Sequence, residues 1–158
     1  TTRGAIKDLK ESIEELQMCD QKKLVLIANI ELAIVHICDI GHKSAEKCLN
    51  NAFKLGKRIK GTEIFVLLAK MVQASFNKDK NPDSLYAEIE TYRKEPATYR
   101  HWYFLSLSYR NSGKEKQADE CLFISQKLLN ASALKNSNKS HQKSMLDNIP
   151  LHQKILSS

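Results

Sequence analysis

Three residues stand close enough along the chain to suggest metal chemistry: His36, Cys38 and His42. Two imidazoles and a thiolate are donors that a transition metal accepts. On a helix, however, positions 36 and 38 project to different sides, and Gly41 opens a new segment before His42, so the three do not converge. They read as packing residues, and neither a metal site nor a cofactor is expected. Cys48 and Cys121 sit in parallel runs, Ala45-Glu46-Lys47-Cys48-Leu49 and Ala118-Asp119-Glu120-Cys121-Leu122. A nucleophilic thiol needs a cationic, partly exposed setting, whereas this pattern suits a small buried hydrophobe. The acidic pairs Glu14-Glu15 and Glu88-Glu90 fall on solvated helix faces, and no phosphate-cradling glycine loop, nucleophile elbow or zinc-protease motif occurs. Tyr99-Arg100-His101-Trp102-Tyr103 mixes rings and cations as a base-stacking surface would, although Trp102 also suits a core position. No enzyme activity is expected, and nucleic-acid binding by a basic helical repeat is the lesser alternative.

The elements that must position these residues are helices. The 158 residues are 42% hydrophobic, enough for a core, while five glycines, three prolines and no long alternation of β-branched with polar residues argue against sheet. The four cysteines are widely and irregularly spaced without a CxxC pair, which points to a reducing compartment and a cytoplasmic location. No secretory leader is recognised at the start. The apolar stretch from Leu24 to Ile40 is broken by Asn29, Glu31, His36 and Asp39, so it reads as a buried helix and no membrane association is expected. The formal charge of +7 comes from lysines spread along the chain, the pattern of solvated helix faces.

Periodicity predicts a first amphipathic helix through Ala5, Ile6, Leu9, Ile13 and Leu16 to about Met18, and a second, apolar on almost every side, over Lys22 to Cys38. A third follows over His42 to Arg58 and a fourth over Glu63 to Phe76. Asn81-Pro82 and Pro96 mark two further helix starts, the second leading into a helix over Thr98 to Asn111. Gly113 marks a turn, and a seventh helix spans Glu115 to Asn130. The Lys, Asn and Ser-rich stretch 131–144 reads as a polar linker, and 145–158 as a C-terminal helix or docking segment around Pro150.

The hairpins repeat. Trp102, Leu105-Ser106, Tyr109, Gly113, Ala118, Leu122 and Ser125 form one copy; Asn29, Leu32-Ala33, His36, Ala45, Leu49 and Ala52 form another; Phe65, Leu68-Ala69 and Val72 begin a weaker middle one. This pattern resembles the tetratricopeptide repeat family. The resemblance implies an all-α solenoid of about three irregular repeats over residues 1–130, with an extra N-terminal helix, and small residues wherever helices approach closely. It also implies a partner-binding groove lined by the first helix of each hairpin: Ile27, Ile30, Ile34, Ile37 and Cys38; Glu63, Val66, Lys70, Gln73 and Ala74; and Arg100, Tyr103, Leu107, Arg110 and Asn111. Lys70, Arg110 and Asn111 answer to residues with which family members clamp a terminal carboxylate.

Four isoleucines on one open face would be an unusually large apolar patch, which calls for a covering partner. The function expected is a protein-protein interaction scaffold or sensor region that binds a peptide or helix with apolar and acidic residues. The alternative is self-association, as a homodimer or assembly subunit, through the apolar groove. The final segment, Met145 to Ile155, is similar to the segment that closes repeat regions in bacterial multidomain signalling regulators, which would make this chain part of a larger regulatory protein.

Overall fold

The computed structural model describes residues 2–39, 41–92 and 97–158, and all regular structure among them is helical. The order is α1 (Thr2–Met18), α2 (Lys22–Asp39), α3 (His42–Gly56), α4 (Glu63–Ala74), α5 (Pro82–Thr91), α6 (Tyr99–Asn111), α7 (Glu115–Leu134), α8 (Lys139–Asn148) and α9 (Pro150–Ser157). The expected start at Pro96 lies outside the described residues. The chain divides into two compact units, 1–73 and 74–158.

In the first unit α2 is the central element. Val25, Leu26, Ile30, Leu32, Ala33 and Ile34 are all at most 4% exposed, so its all-round apolar pattern reflects packing on several sides. It forms a helical hairpin with α3, and α1 lies along it, contributing Ile6 to the core with Leu9, Ile13 and Leu16 half-buried. Asp20, in the turn from α1 to α2, takes the left-handed conformation (φ 53°) that its short polar side chain tolerates.

In the second unit α6 and α7 form the corresponding hairpin, turned by Gly113 at φ 72°, where a side chain would be strained. α5 is started by Asn81, whose side chain accepts from the Asp83 N–H at 3.0 Å, with Pro82 in the first turn. α6 is started by Thr98, whose N–H donates to His101 Nδ1 at 3.1 Å. Trp102 packs edge-on to Tyr86 of α5, ring centroids 5.8 Å apart. The small residues singled out by the repeat, Ala33, Ala45, Ala52, Ala69, Ser106, Ala118 and Ser125, are each 0 to 1% exposed.

The C-terminal region differs from the expected linker. α7 continues through Ala131–Leu134, burying Ala133, because Ala, Ser and Leu sustain a helix. Asn138 then caps α8, accepting from the N–H groups of Ser140 at 2.9 Å and His141 at 3.3 Å. α9 opens on Pro150 and packs on α7, with Leu151, His152 and Ile155 all buried. His152 Nδ1 lies 2.8 Å from the Met145 carbonyl and Nε2 2.8 Å from the Tyr99 hydroxyl, while Gln126 donates to the Ile155 carbonyl at 2.9 Å. The stretch from 145 onward is thus a docked part of the second unit. Among the described residues no helix is long and apolar enough to cross a membrane.

Candidate functional site

A cleft in the first unit borders the face of α2 opposite the expected one, and that face is itself buried, Val25, Asn29, Leu32 and His36 being 3 to 6% exposed. Val25, Asn29, Leu32 and His36 recur at helical spacing along one side, whereas Ile27, Ile30, Ile34 and Ile37 recur along the other. The first set floors a cleft. One wall is α1, with Lys10, Ile13, Glu14 and Gln17; the other is α3, with Ser44, Lys47, Cys48, Asn51, Lys54 and Leu55. Two adjoining cavities, of about 410 and 500 Å³, share Ile13, Gln17, Asn29 and Asn51 as their common boundary. The cleft is open because α1 buries only Ile6 fully, so the remainder of its apolar face is left half-covered.

Its lining is graded. The lobe near the α1–α2 turn is formed by Val25 and Leu55 with Gln21, Lys22 and Lys54, and there Lys22 is paired with Asp20 at 3.2 Å. The other lobe carries Leu32, His36, Ser44, Lys47 and Cys48, with Lys10 and Glu14 opposite. Asn29, 4% exposed, donates back to the Val25 carbonyl at 2.8 Å. His36 is 6% exposed, and its Nδ1 has no hydrogen-bond partner, an arrangement that costs about 1 to 3 kcal/mol while it stays unmet. Burial, and then Lys10, hold the imidazole below its ordinary pKa, so it is neutral at pH 7. Burial pushes the Cys48 thiol up, against the opposing pull of Lys10 and Lys47. Such a surface suits non-covalent binding of an apolar and anionic segment more than bond-making by cysteine.

The expected groove fares differently position by position. Ile30 and Ile34, at 1 and 4% exposed, are core residues, so the open patch of four isoleucines does not exist; Ile27 and Ile37 are half-buried. Tyr103 is also buried, edge-on to Phe104 at 5.4 Å. Val66, Lys70, Gln73, Arg100 and Leu107 are half-buried. Arg110 is held by its own hairpin, 3.1 Å from Asp119 and 3.8 Å from Glu115, and Asn111 donates to the Ser75 carbonyl.

The aromatic run of α6 is likewise engaged within the second unit: Tyr99 with His152, His101 with Thr98, Trp102 with Tyr86 and Tyr103 with Phe104. His36, Cys38 and His42 are buried, half-buried and exposed in turn, and no group of three or more His, Cys, Asp or Glu among the described residues is arranged to hold a metal. Cys121 is buried, its thiol pushed up to about 12 chiefly by that burial.

No protein-family model matches the chain, and no curated protein or solved structure matches it either.

Proposed function

We propose that this chain is a protein-binding module built of tetratricopeptide-like helical hairpins, and that it takes an amphipathic, acidic segment of a partner protein into the cleft between α1 and α3. The observation that carries the reading is the cleft itself: half-buried Ile13 and Leu55 on its walls, amide groups along it, and a rim on which Lys10, Lys22, Lys47 and Lys54 outnumber Glu14 and Asp20. Apolar burial supplies affinity, while the lysines favour acidic partners and fix their direction. The near-complete burial of the equivalent small residues in the two hairpins supports the repeat architecture, since larger side chains would force the helices apart. The likeness of the final segment to those of signalling regulators supports a scaffold or sensor role within a larger cytoplasmic protein.

Asn51 is the residue with which to test this. It is exposed and borders both cavities, so Asn51→Trp obstructs the cleft without entering the core. Fluorescence polarisation with a labelled peptide of alternating Leu and Glu should show binding to the unaltered chain and its loss in Asn51→Trp, with helicity and melting unchanged. Equal binding by both proteins would refute the location.

A further inference from the structure

We propose that the second unit carries a lipid-facing surface, centred on the outer face of α7, that rests on anionic bilayers without spanning them. It is separate from the cleft of the first unit. It also departs from the expectation of no membrane association, which turned on spanning helices and not on peripheral contact.

Positive charge and exposed apolar side chains coincide in one part of the chain. Residues 123–158 hold five lysines and a single acid, Asp147, and so four of the seven net positive charges, whereas 74–122 hold eight cations and eight acids. Lys127, Lys135, Lys139, Lys143 and Lys154 are all exposed. Among the described residues the first four form no ion pair, while cations nearer the hairpin turn do, Lys114 with Asp83 and Arg110 with Asp119. The same stretch holds Phe123, Leu128, Leu134, Ile149 and Leu156, five of the eight large hydrophobic side chains exposed among the described residues. Phe123 and Leu134 are 67 and 72% exposed. Being eleven positions apart, they fall on one face of α7, roughly 16 Å from each other along its axis, with Lys127 between them. Gln126 donates to the Ile155 carbonyl at 2.9 Å, which sets the last turn of α9, with half-exposed Leu156, beside the turn of α7 that follows Phe123.

The residue types select the partner. Residues 123–158 contain no arginine, tryptophan or tyrosine. Those side chains anchor protein interfaces, stack on bases and grip single phosphates in bidentate fashion. Lysine instead is a point charge on a flexible stem that lies along apolar surface while its head reaches outward, and Leu, Ile and Phe enter the boundary between headgroups and acyl chains. A fluid array of anionic headgroups over hydrocarbon matches that combination, since it demands no fixed contact geometry.

Cosedimentation of the full chain with vesicles tests this, using phosphatidylcholine alone and phosphatidylcholine mixed with phosphatidylserine at about three to one. The mixed vesicles should bind roughly tenfold more tightly or better, and added salt should weaken the binding. Phe123→Ser with Leu134→Ser should reduce binding to the mixed vesicles by roughly tenfold, and Lys127→Gln with Lys135→Gln by several-fold; all four positions are exposed, so helicity should not change. No binding to the mixed vesicles, or equal binding to the two kinds, would overturn the proposal. Full binding by the Phe123/Leu134 double variant would overturn it too, since only diffuse attraction of a cationic protein would then remain. A single-stranded oligonucleotide or a Leu-Glu peptide whose binding is lost on these same substitutions, with the vesicles left unbound, would assign the face to nucleic acid or to protein instead.

Discussion

Acidification should release α9 before the α6/α7 hairpin opens. His152 is 2% exposed, and because the Met145 carbonyl can only accept, Nδ1 carries the proton and Nε2 accepts from the Tyr99 hydroxyl. Burial first, and Arg100 after it, lower the His152 pKa below 6.5, outweighing the Met145 carbonyl that raises it. The docked state therefore binds protons less readily than the released one. Its stability is complete above about pH 6.5 and is lost as the pH falls from there through the lower docked value. Protonation removes the acceptor for Tyr99 and places a cation in a buried site, a loss of about 1 to 3 kcal/mol, or a roughly 5- to 150-fold rise in the open population. Hydrogen exchange of 150–157 between pH 7.5 and 5, corrected for intrinsic rates, reads this directly, with α6 and α7 as internal references. His152→Gln should abolish the pH response. Unchanged relative protection of α9 on acidification, or the same response in His152→Gln, would refute the reasoning.

Ala45→Leu and Ala118→Leu should each destabilise the fold by about 1 to 3 kcal/mol, since both sites are fully buried; unchanged thermal midpoints would contradict the assigned packing. Gly56→Ala should be costly too: an added Cβ would sit 2.5 Å from Val66 Cγ2 and 3.7 Å from Leu26 Cδ1, and a stiff valine has little room to yield. Urea unfolding with a midpoint equal to that of the parent chain would show that α4 gives way freely. Mapped thiol labelling should reach exposed Cys19 first and Cys48 and Cys121 last, because burial raises the latter two thiols; early modification of either would place it outside the core.

Local chemistry made much of the fold legible. Asn81-Pro82 and Gly113 announced a helix start and a turn, and the spacing of Ala33, Ala45, Ala52, Ser106, Ala118 and Ser125 singled out residues that are all buried. The end of the chain was less transparent because Asn138 reads as linker composition until its carbonyl is seen capping α8. The site was harder still. Periodicity reports which face is apolar, and α2 carries apolar residues on every side, so hydrophobicity alone does not single out the face with Asn29 and His36 that floors the cleft. A usable signal was present: Asn29 and His36 are polar residues seven apart in an otherwise apolar helix, aligned with Leu32 and Val25.

The central claim, that the cleft between α1 and α3 receives the partner, is tested most directly by amide chemical-shift mapping of the full chain during titration with the Leu-Glu peptide. The account predicts perturbations centred on Lys10, Ile13, Gln17, Asn29, Ser44, Lys47 and Asn51, in fast or intermediate exchange and saturating together. Perturbations centred instead on Ile27, Ile37 and Lys70, or on Arg100 and Leu107, with the cleft residues unmoved, would contradict it.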